Sequence, residues 1–228
     1  MKNHLKRLAA HRNWDLLRKA GKFTARPNTG AHASEEACTL VYVVRDVLGL
    51  ANTRKEVRDI IFNAGIEVDG RARKDHKFNV GLMDVIGFPS TKKYYRIVFN
   101  KQGKLALIEV KEAEAKQKVA RVTGKSQKAG KTVLHLRDGR CVNDADASIK
   151  VGDSIVFGVP DQKIADHLPF GKGSCIMLVG GRHIGSIGNV EKVEGDVLIF
   201  KSLEGEVFET LKKHAYVVGK DKPAVSLQ

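Results

Sequence analysis

The chain has 228 residues, 42% of them hydrophobic and 29% charged, with a formal net charge of +14. That length accommodates two or three small domains with real cores, and the positive excess points to a polyanionic partner. A membrane protein is not expected, because the most apolar run, "ACTLVYVV", is ended by Arg45 and Asp46 and is too short to cross a bilayer.

The excess charge is unevenly placed. Residues 1–130 hold 27 Lys+Arg against 13 Asp+Glu, whereas residues 131–228 hold 13 of each. The front part therefore attracts phosphate by bulk charge, and the back part must use placed loops. Cys38, Cys141 and Cys175 are far apart and odd in number. No disulfide framework or zinc knuckle is expected, only buried free thiols in a reducing cytosol. The start, "MKNHLKRLAAHRNW", has no apolar segment of secretory type.

Residues 1–33 read as a basic, partly helical arm. Lys6, Arg7, Arg12, Arg18 and Lys19 lie among Leu5, Leu8, Trp14, Leu16 and Leu17, before "KFTARPNTGAH" with Arg26, Pro27 and Gly30 breaks regular structure. Such an arm orders on a nucleic-acid partner. Ser34 suits an N-cap, with Glu35 and Glu36 in the first turn of a helix over about 35–48. The β-branched "TLVYVV" also permits a strand there. Thr53 with Glu56 three residues later is a capping-box pattern for a helix over 53–63. Val57, Ile60 and Ile61 give it an apolar face, while Arg54, Lys55 and Arg58 point elsewhere. "IEVDGRAR" reads as a hairpin turning at Asp69-Gly70, and Arg71, Arg73 and Lys74 leave that turn. "FNVGLMDVIGF" reads as a turn and a strand. "KYYRIVFN" and "LALIEV" flank Lys101-Gln-Gly-Lys104 as a second hairpin, and "KEAEAKQK" is a short helical link.

From about 118 the pattern is all-β, with short alternating runs between Gly- and Asp-rich turns, as in small barrels. A boundary between two barrels is expected at Pro160–Pro169. "GKSQKAGKT" fails the phosphate-loop spacing, because five residues rather than four separate Gly124 from Gly130-Lys131. It reads as a hairpin turn whose Lys125, Lys128 and Lys131 are within reach of RNA phosphates. "GSCIMLVGGRHIGSIGNVEKV", residues 173–193, has the pattern of a KOW motif, with Arg182 and His183 at its turn. No nucleophile–base signature and no clustered metal ligands are seen, so neither catalytic nor metal residues are assigned and no cofactor is expected.

Two modules converge on one family. The stretch from "DVLGLANTRKEVRDIIFNAGIEVDGR" to "FNVGLMDVI" resembles the S-four-type RNA-binding domain. The order of parts is similar to that of the S-four-e family of archaeal and eukaryotic small-subunit ribosomal proteins across nearly the whole length: basic arm, this module, "HLRDGR" and "KVGDSIVF", "GGRHIGSIGNV", and a terminal "VVGKDKPAVSL". By the same resemblance, the short stretch after that terminal motif leads to the expectation of an archaeal-type member. The resemblance implies a multidomain α+β fold: a basic N-terminal arm (1–33), an S-four-type RNA-binding domain with a β extension (34–110), a central β-rich domain (111–170), and a KOW-like small barrel with the C-terminal tail (171–228). It implies a non-enzymatic, structural constituent of the small ribosomal subunit, cytoplasmic and on the ribosome. Its partners would be small-subunit ribosomal RNA and neighbouring ribosomal proteins, with no membrane and no small-molecule substrate. The RNA-facing candidates are Lys6, Arg7, Arg12, Arg18 and Arg26 of the arm, Arg54, Lys55, Arg58, Arg71, Arg73 and Lys74 of the helix and hairpin, and Arg182 and His183 of the KOW-like turn. The rival readings are a transient RNA-binding translation or transcription factor and an RNA-modifying enzyme. The enzyme reading lacks a segment long enough for a catalytic domain.

Overall fold

In the computed structural model, which describes residues 4–128, 130–143, 146 and 148–227, the chain divides into two units. The first is Met1–Val98 with Lys104–Ala115, and the second is Phe99–Gly103 with Lys116–Gln228.

The first unit begins with the arm. Strands β1 (Leu5–Lys6) and β2 (Phe23–Thr24) pair antiparallel, and a single 3-10 turn, Arg7–Ala9, lies between them. Where partial helix was expected, the chain turns repeatedly instead. The reason is that its one large apolar anchor, Trp14, is pulled into the neighbouring core, where it is buried. Strand β3 (Ala37–Thr39) then pairs with β6 (Asn79–Gly81), and a π-type helix follows at Tyr42–Val47. The expected helix over 35–48 is thus a turn, a strand and a short helix. Residues 37–44 are buried all round, so no amphipathic period marks the change, and the Thr39 hydroxyl accepts the Tyr42 N–H at 3.1 Å where the helix begins.

Helix α1 (Arg54–Ala64) starts at Thr53 with the expected capping box and ends at Gly65 in the left-handed conformation, φ 68°. Val57 and Ile61 are buried beneath it, whereas Phe62 is 74% exposed. Strands β4 (Glu67–Val68) and β5 (Arg71–Ala72) form the tight hairpin, with Asp69 and Gly70 both at positive φ, 51° and 68°. Two such residues define the turn that matches strand twist. Strands β7 (Val85–Phe88), β8 (Lys93–Phe99) and β9 (Leu105–Val110) complete a five-stranded sheet in the order β5-β4-β7-β8-β9. The short helix α2 (Glu112–Ala115) follows, as its sequence predicts.

The second unit is built on two five-stranded antiparallel sheets. The first has the order β12-β11-β10-β13-β14, from β10 (Gln117–Lys128), β11 (Lys131–Leu136), β12 (Cys141–Asn143), β13 (Ser154–Gly158) and β14 (Ile164–Leu168). Its core holds Val122, Leu134, Leu136, Ile155 and Phe157. The second has the order β18-β17-β16-β15-β19, from β15 (Cys175–Leu178), β16 (Ile187–Glu194), β17 (Val197–Ser202), β18 (Val207–Leu211) and β19 (Ala215–Gly219). The stretch expected as a boundary, Pro160–Pro169, contains β14, so the passage between sheets comes after Leu168. The architecture is a multidomain α+β fold with few helices and many short strands.

All three cysteines are free, and Cys38 and Cys175 are buried as expected. Burial pushes the Cys175 thiol up to about 11 and that of Cys38 further still. Cys141 departs from the expectation: it is exposed, because it alternates outward on β12 while Val142 faces the core.

Candidate nucleic-acid interface

The basic face of the first unit is built where α1 meets the loop before β6. Arg54, Lys55 and Arg58 are all exposed on the helix. The Arg54 Nε donates to His76 Nε2 at 2.8 Å, which needs that ring nitrogen unprotonated. His76 is held below the usual imidazole range by burial, then by the charge of Arg54. Asp75 opposes this, while Arg58 and Lys77 add to it. The histidine therefore serves as a neutral acceptor that fixes Arg54 in place and leaves the rest of its fork free to meet an anion.

The arm joins the same face. Arg26, Pro27, Asn28 and Thr29 line a groove of about 500 Å³ whose other wall is Asp75, Lys77, Phe78 and Asn79. Asn28 holds the walls together by donating to Asp75 Oδ2 at 2.6 Å, while its backbone N–H donates to the Lys77 carbonyl at 3.1 Å. The arm is held deeper in by His32, whose Nε2 lies 2.8 Å from Asp84 Oδ2 in a buried pair. A Cβ on Gly81 would overlap the His32 ring, so the close approach requires glycine there.

The candidate residues fall into different surroundings. Lys6, Arg12 and Arg26 are exposed on the arm. Arg7 and Arg18 turn inward. Arg7 donates to the Leu17 carbonyl at 3.0 Å and lies 3.5 Å from Asp46, and Arg18 reaches the carbonyls of Leu8, Ala10 and His11 at 3.1–3.2 Å. These two organise the arm. Arg71 and Lys74 are exposed on the hairpin, and the Arg73 guanidinium carbon sits 4.4 Å from the Phe78 ring centroid, a cation–π contact. In the second unit Arg182 is exposed, while His183 stacks on Phe208 with ring centroids 4.1 Å apart. The 173–193 stretch is the expected strand, glycine turn and returning strand, Cys175 opposing Asn189. The sequence reading missed His76 and Lys77, which lie in an irregular loop, and Phe62, which breaks the polar side of α1.

Among the described residues, no group of three or more His, Cys, Asp or Glu side chains is placed to hold a metal ion, and no helix is long and apolar enough to cross a membrane.

This arrangement is that of an RNA-binding protein of the S4-domain class: the S4 domain model matches residues 39–86, and the RS4NT domain and Ribosomal family S4e models match residues 1–35 and 91–164. Small ribosomal subunit protein eS4 of Methanosphaera stadtmanae is 37% identical over 99% of this chain and 96% of its own. The protein of that name from Methanocaldococcus jannaschii is 35% identical over 99% and 98%. The crystal structure of 30S ribosomal protein S4e from Thermoplasma acidophilum superposes with a TM-score of 0.71 at 32% identity, covering 85% of this chain and 99% of that one. The chain belongs to the S4e family of small-subunit ribosomal proteins.

Proposed function

We propose that the chain is a structural constituent of the small ribosomal subunit that grips folded ribosomal RNA between its arm and helix α1. The carrying observation is the Arg54–His76 bond beside the groove that Arg26 and Lys77 line, which puts arm and module on one cationic face. The role is non-enzymatic, as befits a ribosomal protein family. Phosphate neutralisation and shape supply the affinity. Exposed Lys6, Arg12, Arg26, Arg54, Lys55, Arg58, Arg71 and Lys74 meet phosphates, while Arg7, Arg18 and Arg73 hold the backbone and loop that present them. Phe62, one helical turn beyond Arg58, offers a ring to an unpaired base.

The 1–33 arm and 34–110 module act together as this RNA grip. The 111–170 and 171–228 parts serve as further RNA-facing modules, the second of them a KOW-like hairpin with Arg182 exposed at its turn. The protein acts in the cytoplasm on the ribosome, next to other ribosomal proteins.

The test is binding of the full chain to protein-free small-subunit ribosomal RNA across a potassium chloride series. Arg54→Ala with Arg58→Ala should weaken binding and flatten the salt dependence by roughly 0.7–0.9 in slope for each phosphate that is no longer neutralised. An unchanged slope removes this face from the account. Sedimentation of a cell lysate separates a resident protein from a transient factor: residence predicts co-migration with the small subunit through a moderate salt wash.

A further inference from the structure

We infer that the second unit carries a phosphate-binding site of its own, formed by Arg121, Arg137, Lys213 and His214 and fitted to the backbone of ribosomal RNA. The inference rests on the RNA-binding reading above but on different residues, and Arg137, Lys213 and His214 among them lie in the part of the chain, residues 131–228, whose acidic and basic residues balance.

Strand register builds the site. Val122 opposes Leu136 with both side chains in the core, so their neighbours Arg121 and Arg137 face the other way. The Arg137 N–H donates to the Arg121 carbonyl at 2.9 Å, which makes the two arginines cross-strand neighbours. Arg121 then reaches across to the second sheet, its Nη1 donating to the Lys213 carbonyl at 2.8 Å. That bond holds the 3-10 turn Lys212–His214 against the same face. The His214 ring is fixed over Gly180, where a Cβ would overlap it.

Four cationic or protonatable groups are thus gathered where the two sheets of the unit meet. Their fields act on one another. Burial, then the charge of Arg137, lowers the proton affinity of Arg121. Burial, then Lys213, Arg137 and Arg121, does the same to His214. Tyr216, the remaining group acting on Arg121, stays a neutral phenol because burial raises it, and its hydroxyl donates to the Val119 carbonyl at 2.9 Å. Partly desolvated like charges oppose folding. A phosphodiester seated among them turns that repulsion into attraction, and a guanidinium fork matches its oxygens. An acidic protein segment would meet the same charges, but a shared face of two arginines, a lysine and an imidazole fits the repeated single charges of an RNA backbone best.

The same full-length RNA titration tests this, with different variants. Lys213→Ala carries the test, since the carbonyl that Arg121 grips is backbone and survives the change. Arg137→Gln is the second variant. Each should flatten the salt slope by roughly 0.7–0.9, equally in wild-type and Arg54→Ala/Arg58→Ala backgrounds, with thermal unfolding showing that each variant is folded at the temperature of the titration. Unchanged slope and affinity in folded Lys213→Ala and Arg137→Gln overturn the site, whatever the helix variants do. A flatter slope in these two with no effect of Arg54→Ala/Arg58→Ala keeps the site and removes the helix face.

Discussion

Trp14 stacks on Tyr42, with ring centroids 5.0 Å apart and planes 25° from parallel, and its indole N–H donates to the Ala37 carbonyl at 2.8 Å. The Tyr42 hydroxyl in turn accepts the Asp15 N–H at 2.7 Å. One residue of the arm is therefore a core residue of the RNA-binding module. Trp14→Ala should cost about 3–5 kcal/mol, the range for emptying a large aromatic site, and should free the arm to proteolysis ahead of Ala37. Urea unfolding and limited trypsin digestion read the two effects. An unchanged midpoint with an uncut arm would show that the stack does not anchor it.

The cap of helix α1 depends on pH. Glu56 accepts the backbone N–H of Asn52 at 2.9 Å and the Thr53 hydroxyl at 2.8 Å, and these bonds, the Asn52 bond first, hold its carboxyl below the usual glutamate value of 4.5. A carboxyl with a depressed folded value contributes stability that is present above its unfolded value and is lost as the pH falls through the folded one. Glu56→Gln should therefore be less stable than wild type at pH 7, with the gap closing below about pH 4.5. A gap that stays constant to pH 3 would assign the effect to something other than the carboxylate. Thr53→Ala, which removes the other half of the box, should cost about 1 kcal/mol.

Arg96 is wholly buried, with its Nη1 2.5 Å from Glu114 Oε1 and its Nη2 donating to the Glu114 carbonyl at 3.1 Å. Burial lowers the proton affinity of the guanidinium, and Glu114 restores part of it. Removing only the carboxylate leaves a buried charge without its nearest counter-ion, so Glu114→Ala should cost about 3 kcal/mol, the lower end for such pairs because Glu114 keeps 23% exposure. Replacing both, Arg96→Met with Glu114→Leu, should recover most of it. A double variant as unstable as the single one would show that the pair holds α2 by more than charge compensation.

The parts legible in the sequence are those governed by local rules. Thr53 and Glu56 announce a cap through bonds made within four residues, and Asp69-Gly70 announces its turn because few other pairs tolerate two positive φ values. What escaped reading depends on distant partners. Trp14 looks like one apolar residue of a basic helix until the pocket formed by Ala37 and Tyr42 is known. "TLVYVV" is buried on all sides, so its change from strand to helix leaves no period to detect. His76 owes its place on the basic face to Arg54 of α1, 22 residues away in the sequence, and Lys77 follows it. The Arg121–Arg137 pair lies on the outer face of a hairpin whose inner face alone shows in the hydrophobic alternation, and its partner turn at Lys213 comes some 90 residues later.

Phe62 is the sharpest probe of whether the α1 face takes an unpaired base. It lies four residues after Arg58 and is 74% exposed, so its ring contributes almost nothing to the core beneath Val57 and Ile61. Structural need does not explain a large aromatic there, whereas an unstacked base would find a π-face one helical turn from exposed Arg58. Phe62→Ala should leave the unfolding midpoint within about 0.5 kcal/mol of wild type, as for surface positions generally. It should weaken RNA binding by about 1–3 kcal/mol, the range for losing one base stack. Because a ring neutralises no phosphate, the salt slope should stay unchanged, in contrast to Arg58→Ala. Equal affinity for wild type and Phe62→Ala would leave α1 as a purely electrostatic surface.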